Sequence, residues 1–345
     1  MLQIDGTEGE GGGQVLRTAL ALSVVTRTPM RIEGIRGKRK KPGLQRQHLT
    51  CVQAAATVSE AEVRGAELNS QQIEFTPQSI RAGNYRFSIG TAGSATLVLQ
   101  TVLPALLAAD APSTVQITGG THNPLAPPFD FVEKAFVPAL RRMGAEVKLR
   151  LLRHGFMPSG GGSFVAEVAP CPRLSPLDLR ERGEEKPWRL RALLSKLPDE
   201  IGARQLDHLL DRFEKRRLAF EATSLERVDA DDAGSALLFE LPHGDLCDVL
   251  CSFGERGVRP ETLADRIATE ALILSSARVP VGPFLADQLL LPMALAGGGT
   301  FRTVEPTLHA TTNARLIERF LPVAFTFAKD PQKQGAFVVT CEKRN

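Results

Sequence analysis

The strongest constraint on this chain is a repeat. An apolar-periodic helix beside a glycine turn, a short strand and a second helix recur three times. In the first copy, glycines 9–13 turn the chain, residues 14–26 have helical apolar spacing, residues 30–35 read as a strand and residues 44–58 as the second helix. In the second copy, Gly90 and Gly93 precede a helix over 94–108, a strand near 114–118 and a helix over 129–143. The third has a helix over 286–296, a turn at glycines 297–299, a strand over 300–304 and a helix over 310–321. Two copies are close together and the third is displaced by about 100 residues, a domain's worth of chain. The displaced stretch, 180–277, is charge-dense at both ends, with Arg180-Glu181-Arg182-Gly183-Glu184-Glu185-Lys186 first and Glu214-Lys215-Arg216-Arg217 later. It also carries strand signals of its own at 188–194 and 236–241, and a helix signal at 260–275. The predicted fold is therefore α/β (α+β), with a large repeat-built domain of residues 1–179 and 278–345 and a smaller inserted α/β domain over 180–277. One large α/β domain with long excursions is the alternative.

Bulk properties exclude several classes. The chain has 345 residues, 43% of them hydrophobic and 23% charged, which describes a globular protein rather than a disordered or fibrous one. A formal charge of +3 does not establish nucleic-acid binding without a local concentration. The five cysteines are scattered and odd in number, which argues against a disulfide framework. Cys247 and Cys251 would lie one turn apart on a helix, but no second Cys or His pair stands nearby to complete a zinc site. The start, Met-Leu-Gln-Ile-Asp-Gly, lacks the basic segment of a secretory signal, and no apolar run reaches the ~20 residues of a membrane span. The expected home is the reducing cytoplasm.

Chemistry-bearing residues cluster at the turns. Gly9-Glu10-Gly11-Gly12-Gly13 ahead of a helix can present backbone N–H groups to an anion, although it matches neither the Walker A nor the Gly-x-Gly-x-x-Gly pattern. Its ordinary reading is a tight turn. Glu10 beside such a nest would repel a phosphate unless a divalent cation stood between them. Residues 36–48 hold Arg36, Lys38, Arg39, Lys40, Lys41 and Arg46, followed by Gln47 and His48, with no acid between Glu33 and Glu60. A solvated loop is the bland reading. Recognition of one terminal phosphate by arginines is the functional one, because a single Trp and a single Tyr cannot supply a long base-stacking platform. The glycine-rich turn 154–162 reads as a sheet-entry turn. Residues 284–288 precede the third copy's helix, where an aromatic, a carboxylate and an amide can hold a nucleoside or cap and pack the helix. His309 falls between a strand and the next helix, a loop position where catalytic groups are often displayed, although most such histidines are inert.

In this order the pieces resemble the RNA 3′-terminal phosphate cyclase family. The residues concerned are Glu-Gly-Gly-Gly-Gln at 10–14, Lys-Pro-Gly-Leu at 41–44 with Arg-Gln-His at 46–48, and Gly-Thr-Ala-Gly-Ser at 90–94. They continue with His-Gly-Phe-Met-Pro-Ser-Gly-Gly-Gly at 154–162, Ala-Asp-Gln-Leu-Leu-Leu-Pro at 286–292, and His309. Only the insert matches poorly. The resemblance implies three units of two helices on a four-stranded sheet, with the small domain inserted before the third. It implies an ATP-dependent ligase that converts an RNA 3′-phosphate end to a 2′,3′-cyclic phosphate through a covalent histidine-AMP on His309 and an adenylylated RNA end. Gln100, Phe284, Leu285, Ala286, Asp287 and Gln288 would line the adenosine pocket. Arg17, Arg36, Arg39, Gln47 and His48 would surround phosphates, and Glu10 would help hold a divalent metal, Mg or Mn. The implied partners are RNA 3′-phosphate ends, with DNA ends and the oligomeric state left open. Phe284 stands where many relatives carry Tyr, and His122 replaces an expected acid or amide. Two rivals are a non-catalytic relative acting in ribosome assembly, which would lack His309, and an enolpyruvyl transferase, which would use neither His309 as a nucleophile nor the basic arm.

Overall fold

In a computed structural model of the chain, which describes residues 1–214 and 220–344, the three copies form three sheets of one design. The first unit runs β1 (Leu2–Asp5), α1 (Gly13–Thr26), β2 (Met30–Glu33), α2 (Arg46–Ser59), β3 (Glu62–Arg64) and β4 (Gln72–Thr76). Its strand order is β1-β2-β4-β3, with β1 and β2 parallel and the other neighbours antiparallel. The second unit runs β5 (Asn84–Ser88), α3 (Ala95–Leu107), β6 (Ser113–Gly119), then a helical segment made of α4 (Phe129–Phe131), a π turn (Val132–Phe136) and α5 (Val137–Arg142). Strands β7 (Val147–Arg153) and β8 (Gly162–Val168) complete it in the order β5-β6-β8-β7.

The third unit corrects the expected insertion point. Its first strand, β9 (Leu177–Leu179), comes before the insert, so the insert interrupts the unit rather than preceding it. The insert runs β10 (Trp188–Ser195), α6 (Asp199–Glu214), β11 (Phe220–Arg227), β12 (Gly234–His243), β13 (Leu246–Phe253) and α7 (Pro260–Ala277). The third unit then resumes with α8 (Pro283–Ala296), β14 (Gly299–Thr303), α9 (Leu308–Phe320), β15 (Val323–Lys329) and β16 (Phe337–Lys343). Parallel pairing of β9 with β14, Gly299 opposite Leu177, restores the order β9-β14-β16-β15. A strand of three residues carries no periodic signal, and for that reason it escaped the sequence reading. Of the charge-dense stretch Glu214-Lys215-Arg216-Arg217, the last three residues lie outside the described residues.

Burial follows the expected periods. Along β6 alternate residues are buried, as in a sheet with one covered face. Helix α1 is buried from Gln14 to Val24 apart from Arg17, because it packs against α2, α3 and α9 rather than on one sheet alone. One apolar core runs through all three units. The insert has its own sheet, β11-β10-β12-β13, in a different topology. Leu237, Phe239 and Leu241 of β12 face α6 and α7 in a cluster with Trp188, while Ala236 and Leu238 face Phe156 of the second unit. This period of two continues with Glu240, buried on the same face as Ala236 and paired with Lys134.

The 154–162 turn is therefore a docking surface for the insert. Phe156 sits against it, Ser159 N–H donates to Asp232 at 2.7 Å, and a side chain at Gly161 (φ +65) would run into Asp231. Cys247 and Cys251 lie on a strand, β13, not on a helix, so four residues separate them by about 13 Å along the sheet. Among the described residues no helix is long and apolar enough to cross a membrane.

Candidate active site

Four helices begin around one cleft of about 1080 Å³: α1, α2, α8 and α9. Their first turns bring unsatisfied N–H groups and the positive ends of the helix dipoles toward the same space, which suits an anion. Close approach is what the glycine run provides. A Cβ on Gly13 would collide with the His48 ring and the Arg17 guanidinium, so a side chain there would push both out of place.

The cleft gathers Glu10, Arg17, Arg36, Arg39, Gln47, His48, Gln100, Phe284, Asp287, Gln288 and His309, which come from distant stretches of the chain. Leu285 and Ala286 do not join them. Both are 3% exposed and belong to the core, because the segment 284–288 lies inside α8 rather than ahead of it, and a helix turns adjacent residues to different faces. Pro283 opens that helix at its first position, where a missing N–H costs nothing. Phe284 is 54% exposed at the cleft.

His309 also moves from its expected setting. It is the second residue of α9, not a loop residue, because Thr307 caps the helix two positions earlier, its hydroxyl accepting from Ala310 N–H at 3.2 Å. Its Nδ1 lies 3.0 Å from Gln14 Oε1, and its Nε2 is 3.8 Å from Glu10 Oε1. Gln14 donates from Nε2 to Asp287 Oδ1 at 2.6 Å. One turn along, Thr18 donates to Asn313 Oδ1 at 2.7 Å, so α1 and α9 are tied at two levels. Sequence reasoning used Gln14 only as part of a motif and passed over Thr18 and Asn313. The available signal was Gln14 itself, a buried amide in the first turn of a largely apolar helix.

The electrostatics separate the cations. Arg39 forms an ion pair with Glu10. Arg36 donates to the carbonyls of Lys41 (2.5 Å) and Gly43 (2.9 Å), which holds the basic loop in shape. Arg17 makes no hydrogen bond or ion pair among the described residues, and burial lowers its pKa, with Cys51 and Asp287 opposing that shift. It lines the cleft wall as a guanidinium with no paired carboxylate among the described residues. His48 is neutral at pH 7: burial first, then Arg17 and Arg36, push its pKa down to about 3. Burial raises the pKa of Asp287, against the opposing pull of Gln14, His309 and Arg17. Gln47 has a structural duty, since its Oε1 accepts from Ser94 N–H at 2.8 Å at the start of α3. The Nε2 of Gln100 is buried with no partner among the described residues.

His122 lies elsewhere. Its Nε2 is 2.8 Å from Asp130, which also accepts from Arg191 of the insert at 2.5 Å, and its ring sits 4.9 Å from that of His154. This residue belongs to the junction between the second unit and the insert.

The family profile and the sequence relatives agree with one another. A profile described as RNA 3′-terminal phosphate cyclase matches residues 8–327. A protein of that name from Ralstonia nicotianae is 50% identical over 326 residues, covering 94% of this chain and 93% of the relative. One from Pseudomonas fluorescens is 50% identical over 323 residues, with the same coverage. One from Koribacter versatilis is 47% identical over 331 residues, covering 96% of this chain and 92% of the relative. Among solved structures, the enolpyruvyl transferase NikO from Streptomyces tendae aligns with 98% of this chain and 48% of its own, at 12% identity and a TM-score of 0.35. Half of the residues shared along nearly the whole length, and a profile spanning the glycine run, the basic arm and His309 alike, lead to one conclusion: the chain belongs to the RNA 3′-terminal phosphate cyclase family.

Proposed function

We propose that this protein converts an RNA 3′-phosphate end into a 2′,3′-cyclic phosphate at the expense of ATP, with His309 as the nucleophile. The observation that carries the reading is the setting of His309: one ring nitrogen is held by Gln14, and the other looks across Glu10 and Arg39 into a cleft rimmed by helix N-termini. His309 Nε2 attacks the α-phosphorus of ATP and expels pyrophosphate. The RNA 3′-phosphate then takes the AMP, and the neighbouring 2′-hydroxyl closes the ring and releases AMP. Attacker and target share one ribose in that last step, which favours closure.

Gln100, Phe284, Asp287 and Gln288 form the adenosine side of this reading, and Arg17, Arg36, Arg39, Gln47 and His48 the phosphate side. Glu10 is the metal candidate. Among the described residues no group of three or more His, Cys, Asp or Glu side chains could hold a metal. One buried carboxylate whose Oε2 lacks a hydrogen-bond partner fits a Mg²⁺ or Mn²⁺ ion that takes its other ligands from phosphates and water. Such an ion would offset charge on the triphosphate. We further read residues 1–179 and 278–345 as one catalytic domain with 180–277 inserted, and place the protein in the reducing cytoplasm, consistent with its free cysteines.

The test is incubation with α-labelled ATP and a divalent metal, followed by denaturing electrophoresis. Label should join the protein in an acid-labile, alkali-stable bond, and His309→Ala should abolish it without unfolding the chain. A fully labelled variant would move the nucleophile to another histidine. An unlabelled wild type would favour the scaffold or enolpyruvyl-transferase readings.

A further inference from the structure

A neutral imidazole is nucleophilic only at the ring nitrogen without the proton, and a hydrogen bond to the other nitrogen selects it. At His309 the selecting group is the amide of Gln14, whose orientation is settled by its second contact. An ionised Asp287 can only accept, and at 2.6 Å it takes its hydrogen bond from the Gln14 NH₂, which therefore faces the carboxylate. Its oxygen is then the atom at 3.0 Å from His309 Nδ1, and an amide oxygen only accepts. The proton therefore stands on Nδ1, and Nε2, with its lone pair, lies 3.8 Å from Glu10, the partner of Arg39. The three residues come from α1, α8 and α9, and the 2.7 Å bond from Thr18 to Asn313 fixes the spacing of the first and last of these helices.

We infer that Gln14, oriented by Asp287, is a positioning residue that keeps the proton of His309 on Nδ1 before and after nucleotide transfer. The inference rests on the proposed role of His309. As Nε2 bonds to the α-phosphorus, the bond from that phosphorus to the pyrophosphate oxygen breaks and its electron pair leaves with pyrophosphate. The ring keeps its Nδ1 proton and becomes cationic. Gln14 Oε1, polarised by the carboxylate behind it, stabilises that cation, in the way that a carboxylate behind a catalytic imidazole does. When AMP passes on, the N–P electron pair returns to Nε2 and the ring is neutral again, with no proton gained or lost.

The experiment is ¹⁵N NMR of histidine-labelled, unliganded protein, with His309 assigned from His309→Asn, alongside the rate of label transfer from ATP. Wild-type His309 should be protonated on Nδ1. Gln14→Leu should move protonation toward Nε2 and slow labelling about 10- to 100-fold, the scale on which lost orienting partners act. The exchanged pair Gln14→Glu with Asp287→Asn keeps an acceptor toward His309 and should label faster than either single variant. A wild-type ring protonated on Nε2 overturns the inference, as does a Gln14→Leu protein labelled at the wild-type rate. If wild type takes no label, the proposed function fails, while the NMR result still judges Gln14 on its own.

Discussion

His48 gives the sharpest physical prediction, because its protonation links the phosphate side of the cleft to stability. Burial first, then Arg17 and Arg36, hold its pKa at about 3 in the folded chain, against an ordinary value of 6.5. A histidine with a depressed pKa stabilises the fold fully above 6.5. Below that the unfolded chain takes up a proton that the folded chain refuses, so stability falls with pH until the folded group titrates near 3. From pH 7 to pH 5 the linkage integral for such a shift is about 2 kcal/mol. That figure rests almost wholly on the unfolded value, since the folded group is still neutral at pH 5. Urea unfolding of wild type and His48→Gln at pH 7, 6 and 5 isolates the contribution, because other shifted histidines such as His154 and His243 are common to both proteins. Wild type should lose about 2 kcal/mol more than the variant over this range. Parallel pH slopes would refute the reasoning and make His48 a histidine of ordinary pKa.

Glu10→Ala should slow self-adenylylation; an unchanged rate across a magnesium titration would return Glu10 to a purely structural pairing with Arg39. Arg191→Met should cost about 3 kcal/mol in urea unfolding, because Asp130 and Glu226 would lose a shared guanidinium at the junction with the insert. A loss below about 1 kcal/mol would mean that solvent already screens this network. An RNA with a 3′-phosphate and a 2′-deoxy terminal sugar should accept AMP and stop there, seen as a slower gel band. A normal end should pass through that species only briefly, since intramolecular closure has effective molarities of ~10⁵ M or more. If the deoxy end binds well yet never accumulates adenylate, the order of steps is wrong.

The insert's place in the molecule bears on how the cleft is built. Its β13 and α7 contribute Val249, Ser252, Phe253 and Ile267 to the cleft wall. The same sheet is held to the second unit by Phe156, Lys134 and Arg191. The glycine-rich turn at 154–162 therefore serves the cleft twice, by docking the wall on which part of it depends and by placing Met157 in the lining.

The sequence alone determined the three-fold helix–strand–helix period and the glycine turns, with about half of the polar residues of the cleft beside them and Thr18, Asn123, Ser252 and Asn313 missed. Those features are local: burial imposes a period of 3.6 on a helix and 2 on a strand, and turns demand glycine wherever they lie. The tertiary structure alone decided that β9 belongs to the third sheet, that His309 lies inside α9, and that Leu285 and Ala286 turn away from the cleft. It also decided that Arg17 stands without a partner among the described residues while Arg39 meets Glu10, and that Gln14 joins His309 to Asp287. These outcomes depend on which helix ends converge, across separations of 273 and 295 residues in the case of Gln14. A local pattern records which face a residue must bury, but the group it meets there is settled only when distant units pack together.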